Sequence, residues 1–382
     1  MTQVHSYHAA LYASDYHPYR TATSGGVPFG SGLNTLSSFY FMDLIRTTWN
    51  YCSLNNGDCL TPKGFSALRV RLSPNQWVDV YNLHTDAGAL AADKFARATN
   101  IAQVLLFMST YSAGMPVIVM GDTNMRYTTT DDSIRLLTDA GFTDAWVQLW
   151  RGGVPPEKTG IPLKCPFPFT RRLSQTEMMK CEVVDKILYR SAGSALGSLH
   201  AYDLTNEHLE FLYPTTGAPL SDHYPLASTI NWDEAGSNLR LSDIVGGTGG
   251  NFFNDIPALL AAGSTTPRLK TLTLSGASRL VRIVASYDTI DTRTVGRGCE
   301  TATDITLAIG EGITKVEACA GQKDGKARVF YMKVTTSTGR TLAAGTMTWE
   351  CYTLDAPSGF TAVGFWGRSG AEINRIGVVW GK

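Results

Sequence analysis

Two imidazoles and a few side-chain oxygens, scattered through the first 232 residues, carry most of the chemistry this sequence offers. Asp122 and Asn124 close the run Val-Ile-Val-Met-Gly-Asp-Thr-Asn, an all-apolar stretch that follows Pro116 and stops at Gly121. In extended chain, residues two apart leave the backbone on the same side. A carboxylate and an amide oxygen would then aim at one point, where they can hold a hard cation or a phosphate. The same pair would also suit a plain Asx turn closing a strand. His84 ends an alternating run and opens His-Thr-Asp-Ala-Gly, while Asp185 sits within Val-Val-Asp-Lys-Ile-Leu-Tyr. A carboxylate among buried aliphatics is costly unless paired, and Asp222-His223, just ahead of another apolar run, supplies the partner. An imidazole oriented by a carboxylate is held in one tautomer and ready to move a proton.

The elements that must position these groups can be read from periodicity. Residues 65–72 and 77–83 alternate as half-buried strands. In residues 93–110, Phe95, Ala98, Ala102, Leu105 and Leu106 recur at helical spacing. With the buried strand at 117–121 this gives a βαβ-like unit that gathers its loops, and so His84 and Asp122, at one edge. A helix is expected at 131–140 and a packed segment at 142–150. Residues 183–189 should form a strand with the charged pair Asp185-Lys186 at its centre. Residues 152–180, rich in Pro, Lys and Arg, read as a long surface insertion. Upstream, a Gly-rich loop at 20–32 leads into a strand at 33–37, where Asn34 could offer a hydrogen bond to a substrate.

The chain has 382 residues, 43% apolar and 17% charged, with 37 glycines. Two domains are expected at this length, with a lean toward strands and turns. Net charge is zero, but residues 1–239 hold 17 Lys and Arg against 21 Asp and Glu, and residues 240–382 hold 16 against 12. An acidic first part favours metal binding over the basic face that duplex docking requires. No apolar run is long enough to span a bilayer. Seven cysteines without a C-x-x-C pair exclude a zinc site of ordinary spacing. Cys52 with Cys59 and Cys165 with Cys181 read as bridges, and Cys299, Cys319 and Cys351 as one pair and one odd thiol, which suits an oxidising compartment.

His84 in Asn-Leu-His-Thr, Asp122 and Asn124 in Gly-Asp-Thr-Asn, Asp185 in Val-Val-Asp-Lys-Ile-Leu and Asp222-His223 in Ser-Asp-His-Tyr-Pro-Leu stand in one order. In that order they resemble the endonuclease/exonuclease/phosphatase superfamily, with its deoxyribonuclease I-like fold, over residues 1–232. The superfamily includes neutral sphingomyelinases and inositol-polyphosphate phosphatases. The resemblance implies a four-layer α/β sandwich with the site at strand ends, and hydrolysis of a phosphoester with Mg²⁺, or Mn²⁺ or Ca²⁺, as cofactor. His223 would be the general base and Asp185 its orienting partner. Asp122 and Asn124 would hold phosphate, nucleophile and metal, Asp222 would support the metal, and His84 would stabilise the oxyanion or leaving group. The family's metal-ligating Glu has no counterpart before Glu157; its position falls near Gln3. The sequence is therefore expected to start downstream of the natural beginning, without a signal peptide, a core strand and one metal ligand, and to be secreted.

After a linker at 233–238, residues 239–382 read as regularly spaced short strands, at 271–274, 280–286, 305–309, 313–320, 328–335, 361–365 and 373–380. Gly246-Gly-Thr-Gly-Gly-Asn-Phe-Phe-Asn-Asp lacks the Lys and following helix of a phosphate loop. Together with Gly-Phe-Trp-Gly-Arg-Ser-Gly-Ala-Glu-Ile-Asn-Arg-Ile-Gly at 364–377, it resembles the jacalin-related lectins. That implies an all-β prism of three four-stranded sheets and a glycan site at Gly247, Gly250, Gly370 and Asn374. Asn374 stands where the lectins carry Asp, which removes one acceptor oxygen. The expected whole is a phosphodiesterase, leaning to a lipid head group and peripheral membrane contact, tethered to glycans. The alternatives are a secreted nuclease, or a carbohydrate-binding protein with an inactive phosphoesterase domain.

Overall fold

The structure is a computed structural model and describes residues 11–22, 30–158, 161, 163–167, 173–191, 195–263, 266–298 and 300–382. Gln3, Cys299 and most of the Gly-rich loop at 20–32 lie outside these residues. The chain forms two compact units. The first is built mainly from residues up to Asp233 and the second mainly from Glu234–Lys382, with Ser73–Trp77 and Ala192–Gly197 falling to the second.

In the first unit, strands β1 (Tyr19–Arg20) and β2 (Leu36–Ser37) form a small antiparallel pair. A six-stranded mixed sheet follows, built from β3 (Phe41–Thr48), β4 (Gly64–Ser73), β5 (Gln76–His84), β6 (Val117–Asp122), β7 (Thr143–Asp144) and β8 (Asp185–Arg190). Its spatial order is β3-β4-β5-β6-β8-β7. The crossover from β5 to the parallel β6 runs through the helix Ala91–Tyr111. That helix exists because Ala96, Ile101, Val104 and Met108 make one buried stripe, and because the Asp93 carboxylate accepts the Leu90 N–H at its start. Strands β9 (Ser198–Asn206) and β10 (Leu226–Asp233) form a separate antiparallel ribbon. One large sheet, this ribbon and the small β1–β2 pair are thus what the described residues of the first unit display.

Several sequence expectations shift in register. The helix expected at 131–140 is the single turn Arg135–Asp139, and the strand expected at 33–37 shrinks to Leu36–Ser37. Asp185 does not sit at a strand centre but opens β8. The buried member of the charged pair is Lys186, whose Nζ lies 2.8 Å from the Glu182 carboxylate and 5.1 Å from the centre of the Tyr127 ring. Alternation sends Asp185 to the rim and Lys186 inward.

The second unit repeats one arrangement three times. Its four-stranded sheets take the orders Leu239–Gly246, Ile373–Gly381, Thr361–Ser369, Asn251–Asn254; then Arg293–Val295, Arg282–Tyr287, Leu269–Ser275, Ala302–Thr306; then Thr341–Gly345, Lys326–Thr336, Ile313–Lys323, Glu350–Asp355. Leu239 pairs with Gly381, so the first strand of the unit is stitched to its last. The interior is aliphatic and aromatic, with Leu241, Ile283, Val316, Val334, Phe365 and Ile376 buried. Each such side chain contributes on the order of 1.5–3 kcal/mol. Among the described residues of this unit, five strands lie outside those read from the sequence, among them Leu239–Gly246 and Glu350–Asp355.

Candidate active site

Register places the site. His84 is the Cα partner of Asp122 across the parallel β5–β6 pair, and Asp122 is the partner of Asp185 across the antiparallel β6–β8 pair. Three chemistry-bearing residues therefore stand in one row on adjacent strands, with side chains on one side of the sheet. Such close strand approach depends on Gly121, at φ +132°, where an added Cβ would lie 2.1 Å from the Leu83 carbonyl oxygen. Asn124 takes a left-handed conformation, φ 49°, which Asn tolerates better than most residues. The loops behind the row are fixed by hydrogen bonds. Trp49 Nε1 donates to the His84 carbonyl at 2.7 Å, Thr85 N donates to the Asp122 carbonyl, and Thr123 Oγ1 donates to the Val184 carbonyl at 2.6 Å.

His223 arrives from the loop ahead of β10. Its Nδ1 lies 2.7 Å from Asp185 Oδ2 and its Nε2 lies 3.7 Å from Asp122 Oδ2. His84 Nε2 is 3.2 Å from that same Asp122 oxygen. One carboxylate thus faces both imidazoles. The hydrogen bond to Asp185 raises His223 to about 9, against an opposing effect of burial. Burial pushes the Asp122 carboxyl up, but the hydrogen bond from His84 and the charge of both imidazoles outweigh it and hold the group below its ordinary value. Asn124 donates from its backbone N and from Nδ2 to the Asp122 carboxylate, at 2.8 and 3.1 Å.

A cleft of ≈ 380 Å³ opens beside His223, bordered by Asn124, Arg126, Phe167, Asp185, Asp222 and Tyr224 among others. Five of the residues expected at the site, His84, Asp122, Asn124, Asp185 and His223, come together. Asp222 borders the cleft but is exposed, outside the cluster of Asp122, Asp185 and His223 whose ligand atoms lie within 4.8 Å of one another. Asn34 Oδ1 accepts from the Tyr12 hydroxyl, and its carbonyl accepts from Asn82 Nδ2. Arg126, Phe167 and Tyr224 were not picked out in the sequence. Arg126 stands two residues past Asn124, near enough to have been weighed, whereas Phe167 lies in the stretch read as a surface insertion. That stretch is tied down by the Cys165–Cys181 disulfide.

Hard oxygen donors dominate the site, and a small divalent cation asks for one or two carboxylates plus water. Among the described residues, Asp122, Asp185 and His223 have ligand atoms close enough to one another to hold such an ion together, while Asn124 turns its Nδ2 to the Asp122 carboxylate.

In the second unit, the backbone N–H of Gly247 donates to the Asn374 carbonyl at 2.7 Å, so the two glycine-bearing loops meet. Gly250 packs so closely on this turn that a Cβ there would lie 2.7 Å from the Asn374 side-chain amide, and Gly370 stands at the same turn. The Asn374 side chain itself is buried. In the orientation that satisfies both ends of its amide, it accepts from Arg328 at 2.9 and 3.2 Å and donates to the Glu372 carbonyl at 3.1 Å. Glu372 in turn pairs with Arg279 and Lys323. Of the three C-terminal cysteines, Cys319 and Cys351 are bridged, and Cys52–Cys59 is bridged in the first unit.

Residues 1–154 match the family model for "Endonuclease/Exonuclease/phosphatase family 2", and residues 242–379 match that for the "Jacalin-like lectin domain". Proteins named sphingomyelinase from Mycobacterium bovis and Mycobacterium tuberculosis are 42% identical to this chain over 203 residues, which is 52% of this chain and 36% of theirs. The chain therefore spans about a third of the length of these relatives. Among solved structures, wild-type Malaysian banana lectin matches 37% of this chain and 96% of its own at 19% identity and TM-score 0.32. Frutapin, a lectin from Artocarpus incisa, matches 38% and 99% at 23% identity and TM-score 0.33.

Proposed function

We propose, for a chain that joins an endonuclease/exonuclease/phosphatase family domain to a jacalin-like lectin domain, that it is a secreted phosphodiesterase acting on lipid head groups of the sphingomyelin kind. The observation that carries this reading is the row of His84, Asp122 and Asp185 capped by His223. In hydrolysis, Asp185 holds His223 in one tautomer through Nδ1 and leaves Nε2 to take a proton from water. His84, whose Nε2 approaches the same Asp122 oxygen, would donate toward developing negative charge. At neutral pH the imidazolium of His223 is an acid, and only its neutral form is a base. Positive charge near Asp122 would oppose the imidazolium and bring the base form into range. When bound, Mg²⁺ or a similar cation supplies charge neutralisation to the phosphoryl oxygens. Asp122, Asn124 and Asp222 are proposed to hold it.

A lipid substrate is favoured by the segment that leads into His223. Leu209, Phe211, Tyr213 and Leu220 are all exposed there, on a loop closed by Tyr213 N donating to Ala218 O and Leu220 N to Phe211 O. Apolar side chains exposed on a loop that runs into the cleft residues Asp222, His223 and Tyr224 suit contact with a lipid surface. No helix among the described residues is long and apolar enough to cross a membrane. A duplex-cutting nuclease fits less well, because the first part of the chain is acidic. Three disulfides accord with an oxidising compartment.

The test is phosphocholine release from sphingomyelin vesicles in Mg²⁺, compared with plasmid cleavage under the same conditions. Loss of release in His223→Ala supports the reading; plasmid cleavage without lipid hydrolysis would replace it with the nuclease. Glycan binding is proposed for the loop end formed by Gly247, Gly250, Gly370 and Asn374. A glycan array that lights up for a chain cleaving no phosphoester would favour a lectin with an inactive phosphoesterase domain.

A further inference from the structure

A phosphodiester carries a negative charge, and the cleft it must enter is lined by Asp185, Asp222 and Glu182. Those carboxylates repel it unless something on the cleft wall answers. Among the described lining residues Arg126 is the one permanent cation. It is half-buried, and its place is fixed from the backbone, whose N–H donates to Asp132 Oδ2 at 3.2 Å. Asp132 is engaged by Arg97, and Glu182 by Lys186. Glu182 and Asp132, the two carboxylates that act most strongly on Arg126, therefore already have cations of their own. Arg126 Nε donates to the Glu182 carbonyl at 3.4 Å. Among the described residues no acceptor is engaged by its terminal Nη1 and Nη2.

A planar guanidinium with two donors to spare, at the wall of a cleft shared with Asn124 and His223, matches two oxygens of a phosphoryl group. We infer that Arg126 is a further catalytic residue, donating through its terminal nitrogens to the non-bridging oxygens of the phosphodiester while His223 serves the water. The inference rests on the phosphodiesterase reading and adds the group that receives the anion. Phe167 and Tyr224, with ring centres 5.4 Å apart, form an apolar wall of the same cleft. Partial exclusion of water there strengthens a charge-assisted bond to the phosphoryl oxygens.

The experiment uses the full chain with bis(4-nitrophenyl) phosphate in Mg²⁺ and, separately, the binding of inorganic phosphate by calorimetry. Arg126→Gln should lower kcat/KM by about 100-fold or more and weaken phosphate binding, with an unchanged melting temperature. Arg126→Lys should retain part of the activity, and millimolar guanidinium should restore turnover to Arg126→Ala, which a merely structural arginine would not allow. Retention of wild-type kcat/KM and phosphate affinity in Arg126→Gln overturns the inference while leaving the phosphodiesterase reading in place. So does a loss of activity that follows the melting temperature and is not rescued. A wild-type chain that neither cleaves the ester nor binds phosphate overturns both.

Discussion

His223 meets two carboxylates with different consequences. Asp185 makes the short contact at Nδ1 and is the main cause of the high proton affinity, whereas Asp122 stands back at 3.7 Å. Asp185→Asn should therefore return the His223 titration, followed by NMR, from about 9 toward the ordinary value of 6.5, and Asp122→Asn should move it less. The sign for stability follows from linkage. Because the folded-state value lies above the unfolded one, protonated His223 stabilises the fold fully below about pH 6.5, and that contribution fades as pH rises through about 9. Melting temperature measured from pH 6 to 10 should lose an increment over this window in the wild type and not in His223→Gln. Parallel curves would remove His223 as the source. For catalysis, His223→Ala should cost about 100-fold or more in turnover, read as phosphocholine release.

Strands do the positioning. Gly121→Ala puts a Cβ against the Leu83 carbonyl, so β5 and β6 must part and His84 must leave Asp122. A loss of about 2–4 kcal/mol is expected in urea unfolding, together with loss of activity. The Cys165–Cys181 bridge closes a loop with a sequence separation of 16. Replacing both cysteines by serine should cost about 3 kcal/mol and loosen the segment that carries Phe167. At this scale the sequence was most informative where a single period ran unbroken. The alternation ending at His84 is in place, and so is the helix, but the stripe read at Phe95, Ala98, Ala102, Leu105 and Leu106 is not its buried face: Phe95, Ala102 and Leu106 are exposed, and Ala96, Ile101, Val104 and Met108 pack inward instead. It was least informative where tertiary contacts overrode local pattern. Asp185 read as a mid-strand charge because Val183 and Val184 extend the apolar run, yet the strand begins only at Asp185, where its carboxylate reaches His223. Asn34 has a plausible donor and acceptor in any one-dimensional reading, and only the fold reveals that Tyr12 and Asn82 hold it. Arg126 was legible as a neighbour of Asn124, but nothing local says that its guanidinium borders the cleft.

For the molecule as a whole, the proposed function has a phosphoesterase-family unit and a lectin-like unit acting at one lipid surface. A module that holds a glycan near its lipid raises the local concentration of substrate without touching the chemistry. Vesicles bearing glycolipid should then lower KM and leave kcat unchanged, and equal KM on plain vesicles would detach the second unit from the reaction. Asn374 is engaged by Arg328, so Arg328→Ala should free its amide and change the glycan-array profile.

The common row of His84, Asp122 and Asp185 also sets what kinds of change the proposed site can survive. Side chains flanking the row can be exchanged one at a time, but a single inserted or deleted residue in β8 inverts the strand's facing. Lys186 would then stand opposite Asp122, and the carboxylate that orients the imidazole would point into the interior. The reactive centre is in this sense a matter of phase between neighbouring strands, so length variation should be confined to the connecting segments and absent from the three strands that meet there.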